Sequence, residues 1–330
     1  MKGILKRLKG NKSFTLFIML IVVVAVFSIM RQYFFTVGNF KTILYNASIP
    51  GILMIGFTTL MLSGNADMSV AAVGTISAVF CAMLINRGVP WFLAAIICIL
   101  FGGLCGAFNA LTWYRFHIIP FIGTMGISYI WTGLAGFITK NAAIVIDIPV
   151  FRTVTSVYVW FIPIAFIYCI ILALIYGTML SKTKLGRSVY MCGGNPMAAR
   201  LSGVSVSKIG TMMMINCSMV SAFGGVVMLG RMQQIRSDTM SSTLMSSITA
   251  AFLGGISFGG GSGTMLGAFI GLLVINSFNN GLILIGMDTY WQIFAQGALL
   301  IFALLVDRMN TAPTSKFKEL KKEYDKSHGK

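Results

Sequence analysis

The chain has 330 residues, 57% of them hydrophobic and only 10% charged, with a mean hydropathy of +0.86. Soluble domains carry roughly 25% charged residues, so lipid rather than water is the main solvent here. The formal net charge of +17 does not indicate nucleic acid, which needs a solvated basic face with stacking aromatics. These basic residues instead sit in loops and tails beside apolar runs, a placement that fits membrane topology and anionic headgroups.

In chain order, residues 1–13 form a basic segment (Lys2 to Lys12). It leads straight into the apolar run Phe14–Met30, and Arg31-Gln32-Tyr33 follows where a leader would need a small-residue cleavage site, so a retained first helix is expected. A crossing needs about 20 apolar residues. The sequence offers Phe14–Met30, Leu44–Ser63, Asp67–Ile85, Pro90–Leu111, Pro120–Thr139, Val157–Leu180, Gly210–Gly230, Thr243–Ile256, Gly263–Ile285 and Tyr290–Val306. The runs lack the period-two alternation of a barrel strand, and backbone in hydrocarbon must satisfy itself. The fold class is therefore all-α and polytopic, with about ten transmembrane helices. The eighth run is short, and a re-entrant course for it stays open.

With the N-terminus inside, eighteen of the 25 Lys and Arg residues fall on the inner side and seven on the outer. The positive-inside rule then places both termini in the cytoplasm. The domain plan is a cytoplasmic N-terminus (1–13), a transmembrane domain (14–306) containing a cytoplasmic loop (181–209), and a basic cytoplasmic tail (307–330). Gly102 with Gly106, and Gly263, Gly267 and Gly271, recur every four residues and predict close helix contacts. Gly102–Leu111 and Gly263–Leu272 agree at five of ten positions and cross in opposite senses, a hint of an inverted repeat.

Three segments stand out. In the loop, Asn195 is a good N-cap, Pro196 suits the first helical position, and Gly203 suits a left-handed stop, so a short extramembrane helix is expected over Pro196–Ser202. Gly193 and Gly194 are expected to turn the chain sharply into it. Arg187 and Arg200 offer planar donors to a docked partner, against the plainer reading of a solvated basic loop near headgroups. Next, Asp67 is one of eight acids. It either caps the helix that follows or lines a translocation path or gate.

Third, the run Gly254 to Gly263 lacks the Lys of a phosphate loop, and a bend is expected there. No diaspartyl pair can form, and a Ser–His pair would need His117, which sits beside Arg115. Five of the six cysteines lie in apolar runs as small hydrophobes. Uncharged polar residues within the runs (Asn46, Asn109, Thr124, Ser128, Asn216, Asn276, Asn279, Asn280, Gln292, Gln296) suit a hydroxylated solute or, equally, contacts between helices.

Leu185-Gly186-Arg187, Gly193-Gly194-Asn195 and Ala198 to Gly203 resemble the cytoplasmic signature of ribose-type ABC importer permeases. Asp67-Met68-Ser69-Val70, Pro120-Phe121-Ile122 with Thr124 and Gly126, Gly254 to Gly263, Asn280-Gly281-Leu282 and Tyr290-Trp291-Gln292 resemble further motifs of that family, in the same order. The pattern departs at Ala71-Ala72, at Met125 and at Ser63 to Ala66.

The resemblance implies a bacterial inner-membrane permease subunit for a monosaccharide such as ribose, not an enzyme. Its partners would be an ABC ATPase, an extracytoplasmic solute-binding protein, a second permease (identical or related) and lipid. No cofactor would bind this chain, ATP and Mg being used by the ATPase. Coupling to the ATPase would fall on Gly186, Arg187, Gly193, Gly194, Asn195, Pro196, Ala199, Arg200 and Gly203. The path or gate would fall on Asp67, Ser69, Asn109, Phe121, Thr124 and Asn280. Alternatives are permeases for nucleosides, branched-chain amino acids or a sugar-like signal, and, from another class, a secondary transporter or channel.

Overall fold

Local chemistry fixes where five of the helices begin. Thr36, Thr183, Asn195, Ser205 and Thr264 each accept a hydrogen bond from the backbone N–H three residues on, satisfying a donor the helix itself cannot. The computed structural model describes residues 12–311, with side chains from 14 to 305.

The helices are α1 (Lys12–Met30), α2 (Val37–Leu62), α3 (Val70–Asn86), α4 (Trp91–Tyr114), α5 (Pro120–Thr139), α6 (Pro149–Ser156), α7 (Ile164–Lys182), α8 (Lys184–Gly194), α9 (Pro196–Leu201), α10 (Val206–Met232), α11 (Ser241–Leu253), α12 (Met265–Leu284) and α13 (Thr289–Thr311). Four two-residue strands join them. Antiparallel β1 (Ile144–Val145) pairs with β4 (Gln234–Ile235), and β2 (Tyr158–Val159) with β3 (Ile162–Pro163).

Six helices are long and apolar enough to cross a bilayer: α2, α4, α5, α7, α10 and α12. Helices α1, α3, α11 and α13 are also apolar but shorter, and the protein is an all-α, multi-pass membrane protein. At the centre, α2 is buried from Ala47 to Leu62 except for half-buried Pro50. Around the rim, α4, α5 and α7 turn large apolar side chains outward, among them Leu104, Ile130 and Leu174. In water that distribution would be an aggregation hazard; in a membrane it is the lipid-facing surface.

The connections sort into two sides. Asn86 at the end of α3 donates to Val145 O in β1 (3.1 Å), β1 pairs with β4, and Arg31 donates to Ile285 O (3.3 Å). These contacts gather the loops after α1, α3, α5, α10 and α12 on one side. On the other, Gly261 N–H donates to Leu62 O (3.0 Å) and Tyr190 donates to Gly263 O (2.9 Å), gathering the loops after α2, α7 and α11.

This sorting settles the course of the eighth apolar run. Helix α11 has 13 residues, about 20 Å at 1.5 Å per residue, against a hydrocarbon layer of about 30 Å. Yet the chain enters α11 from the β4 side and reaches Leu62 on the opposite side through the glycine loop. Helix and loop together lead from one side of the molecule to the other rather than back to the side they left.

The glycine spacing is a packing device. A Cβ on Gly102 would overlap Ala222 Cβ and stand 2.9 Å from Ser218 O; on Gly106 it would lie 2.7 Å from Ile215 Cα. Those two positions seat α4 on α10, as Gly267 and Gly271 seat α12 on α11. Gly263 lies outside any helix at φ 122, so of the two similar decapeptides only Gly106-Ala107-Phe108 and Gly267-Ala268-Phe269 correspond as helical packing faces. Gly106→Val is expected to reduce the folded, monodisperse fraction several-fold in detergent by size-exclusion chromatography. Gly126→Val, at a position with nothing within 4 Å, is expected to leave it unchanged.

Three boundaries differ from expectation. The run Val157–Leu180 becomes helical only at Ile164, because Pro163 closes a small hairpin in which Trp160 sits at φ 61. The run Asp67–Ile85 becomes helical only at Val70. The 181–209 loop contains two helices, not one, because Thr183 caps α8 by accepting from Gly186 N–H (3.1 Å).

Candidate functional site

Three features on the two sides of the molecule hold the residues singled out by sequence. The first is a joint of bare backbone. Gly193 and Gly194 do not turn the chain; they are the last residues of α8, and the break comes at Asn195 (φ −152). Lacking a side chain, Gly193 lets α8 press against two other segments. A Cβ on Gly193 would overlap Leu62 O and stand 2.5 Å from Gly261 N and 3.0 Å from Gly64 N. Gly64 (φ 85), Gly260 (φ 80) and Gly261 (φ 67) all take the left-handed conformation open to glycine. The turn after α2, the end of α8 and the loop before α12 thus meet backbone to backbone.

Beyond the joint, α9 forms as expected. Asn195 Oδ1 accepts from Ala198 N–H (3.0 Å), Pro196 opens the helix and Gly203 closes it at φ 79. The helix ends at Leu201, with Ser202 as its cap. Ala199 is buried inward while Arg200 is exposed, and Met197 and Leu201 are 65% and 84% exposed. Two apolar side chains one turn apart and an arginine between them are thus exposed together. Arg187 is also exposed, and Gly186 is buried where a Cβ would overlap the carbonyls of Met179 and Leu180.

The second feature is a polar knot on the turn between α2 and α3. Asp67 does not cap α3. Its Oδ1 accepts from the N–H (2.7 Å) and hydroxyl (2.6 Å) of Ser69, and its Oδ2 accepts from Asn109 Nδ2 (3.0 Å), which also donates to Ser69 Oγ (2.8 Å). Thr124 Oγ1 accepts from Met68 N–H (2.9 Å). Asp67, Ser69, Asn109 and Thr124 are all fully enclosed. The knot binds the turn to α4 through Asn109 and to the start of α5 through Thr124. Phe121, by contrast, is 37% exposed on the first turn of α5.

The third feature lies on the opposite side of the molecule. A cavity of about 320 Å³ is walled by Asn46 on α2, Asn276, Asn279 and Asn280 on α12, and Gln292 and Gln296 on α13, with Ser242, Thr243 and Ser246 on α11. Asn279 Oδ1 and Asn280 Oδ1 are buried acceptors without a partner among the described residues. Arg231 is the one charged lining residue; its guanidinium stacks on Tyr45 (3.3 Å to the ring centroid) and donates to Tyr45 O (2.8 Å). Small-solute pockets begin at about 300 Å³, and unpaired amide oxygens in such a space are ready acceptors for hydroxyls. Of the path residues expected from sequence, only Asn280 lines this cavity. Asn46, Asn276, Asn279, Gln292 and Gln296 were read from sequence only as uncharged polar residues suited to a hydroxylated solute or to contacts between helices. The sharper signal was their spacing, Asn276, Asn279 and Asn280 at i, i+3, i+4 and Gln292 and Gln296 at i, i+4, each defining one helix face.

Among the described residues no group of His, Cys, Asp or Glu could hold a metal, and the six cysteines are buried and free.

Apolar helices long enough to cross a bilayer, packed around a glycine joint and an amide-lined cavity, define a multi-pass membrane protein with a polar interior space. The family model described as "Branched-chain amino acid transport system / permease component" matches residues 39–304, and the chain belongs to that family, the permease component of ABC importers. It is 30% identical over 299 residues to the ribose import permease protein RbsC of Bacillus subtilis (strain 168), covering 90% of this chain and 92% of the relative. It is 32% identical over 302 residues to the D-allose transport system permease protein AlsC of Escherichia coli (strain K12), covering 91% and 92%. It is 30% identical over 308 residues to the autoinducer 2 import system permease protein LsrC of Photorhabdus laumondii, covering 92% and 91%. No solved structure matches. The chain is a translocation subunit rather than an enzyme, and ATP is hydrolysed by a separate ATPase.

Proposed function

We propose that this subunit imports a monosaccharide, ribose being the first candidate, through ten crossings with both termini in the cytoplasm. Supporting that orientation, the side bearing the glycine joint carries Arg115, Lys182, Lys184, Arg187, Arg200 and Lys208. The amide chamber then faces outward, where an extracytoplasmic binding protein delivers solute. Helix α9 faces the ATPase and holds no nucleotide itself; a second permease, identical or related, completes the path, and no cofactor is bound by this chain.

The amide chamber carries the reading. A sugar needs many neutral donors and acceptors, which the amides and hydroxyls of the wall provide, while the one charge there, Arg231, is engaged by Tyr45. A zwitterionic amino acid would want an acid beside Arg231, and none lines the space.

The mechanism follows from the joint. Closure of the ATPase pushes α9 and α8, and because α8 meets the turns after α2 and α11 through bare backbone, no compliant side chain absorbs the stroke. The α2–α3 turn moves with its knot, so Asp67, Ser69, Asn109 and Thr124 act as the inner gate, with Phe121 at its edge. Asn280→Leu is expected to lower monosaccharide uptake about tenfold, as loss of one buried hydrogen-bonding group predicts, with the complex still assembled. Uptake of radiolabelled ribose and allose by the full transporter in proteoliposomes checks this. Unchanged uptake of every sugar bound by the cognate binding protein would remove the chamber from the path.

A further inference from the structure

A second cavity, of about 520 Å³, has a different chemistry. It runs between α7 and the start of α12, walled by Ile170, Ala173, Leu174, Gly177, Met265 and Phe269. Its polar groups gather at one end: Ser181, Thr178, Tyr190 and Thr264. The lips, Leu174 and Leu266, are each 63% exposed, so the groove opens sideways toward lipid. At its middle there is open space beside Gly177, where a Cβ would meet only the Met265 side chain, at 3.7 Å.

We infer that this groove holds one acyl chain of an anionic phospholipid from the leaflet on the glycine-joint side, with the headgroup at Lys182 and Lys184. Length supports an acyl chain: Ile170 to Ser181 is eleven helical steps, about 16 Å, and one leaflet of hydrocarbon is half of about 30 Å. Charge supports an anionic headgroup. Lys182 and Lys184 are exposed beside the polar end and have no carboxylate partner among the described residues. Asp147, Asp238 and Asp288 belong to the other side, and Asp67 is enclosed within the knot. A polar solute fits poorly, because the long walls offer it nothing to bond.

The location gives the lipid a consequence. Tyr190 forms part of the groove and donates to Gly263 O (2.9 Å), tying α8 to the glycine loop. An acyl chain seated there packs against that tie, one step from the joint, so lipid charge sets how firmly α8 is held. Binding stands independently of the transport reading; only this last effect rests on it.

The test uses the full complex in nanodiscs of phosphatidylcholine alone or mixed with phosphatidylglycerol, read by native mass spectrometry after detergent release and by thermal unfolding. The wild type is expected to retain one phosphatidylglycerol per chain and to unfold several degrees higher with it than with phosphatidylcholine. K182Q/K184Q is expected to keep a lipid but lose the preference; G177F is expected to lose the lipid, while G177A keeps it. Equal retention of both lipids by the wild type overturns the headgroup assignment. Retention unchanged in G177F overturns the groove, and should G177F not fold, A173W is the filling variant judged on the same readout. A chain-to-chain disulfide formed at high yield by L174C would assign the groove to a second copy and overturn the proposal; a lack of that cross-link supports it. Transport assays enter none of these outcomes, so failure of the import reading is seen separately.

Discussion

Gly193→Ala is expected to abolish ATP-driven uptake, tenfold or more, while Gly194→Ala one residue further on leaves it close to wild type. The asymmetry is geometric. A methyl on Gly193 overlaps Leu62 O and crowds Gly261 N at 2.5 Å, the two atoms joined by the 3.0 Å hydrogen bond that holds the α2 end to the glycine loop. A methyl on Gly194 meets only Gly261 Cα, at 3.9 Å, an ordinary contact.

To accept Gly193→Ala the three segments must part, with an overpacking cost of about 1–3 kcal/mol and a net loss of roughly 1 kcal/mol for the broken bond. That is too little to unfold a bundle of this size and enough to let α8 slip relative to the turn it drives. The complex should therefore assemble and hydrolyse ATP without moving solute. Uptake and solute-stimulated ATPase activity, measured on the same preparation, check this. Equal uptake by the two variants would dismiss the joint as the coupling element.

That asymmetry also marks where sequence reading reached its limit. Asn195, Pro196 and Gly203 were legible because capping is local: each acts on a backbone group within a few residues. Gly193 and Gly194 resemble a turn by the same local logic, but the absent side chain of Gly193 serves Leu62 and Gly261, distant in sequence. The apolar run from Val157 gave no sign that Pro163 would hold its first residues in a hairpin, because hydropathy does not distinguish a strand at the interface from the first turns of a helix. The chamber was half legible: the amide faces of α12 and α13 can be read from spacing, whereas their meeting with Asn46 depends on tertiary packing. The knot shows the opposite failure. An acid just before an apolar run reads as a cap, yet Asn109 and Thr124 draw Asp67 and its turn inward.

Exchanging the two ends of that knot separates its structural role from any direct contact with solute. Asp67→Ala should be the most destabilising change in the region. It leaves the N–H and hydroxyl of Ser69 and the amide of Asn109 fully buried with their acceptor gone, and orphaned donors cost about 1–3 kcal/mol each. Asp67→Asn should be milder. Its carbonyl still serves Ser69, but its new amide hydrogens face those of Asn109. Asn109 Oδ1, which has no partner among the described residues, can turn to meet them only by withdrawing the N–H that now reaches Ser69 Oγ.

Adding Asn109→Asp restores an amide–carboxylate pair with its polarity reversed, so the double variant should recover most of the lost thermal stability, with a coupling of at least about 1 kcal/mol. If the knot is a gate that works by holding its turn to α4 and α5, uptake recovers in parallel with stability, and that is the expected result. Stability regained while uptake stays at the level of Asp67→Asn would instead place the Asp67 carboxylate in contact with the passing solute, because an exchanged pair preserves the bracing and displaces only the charge.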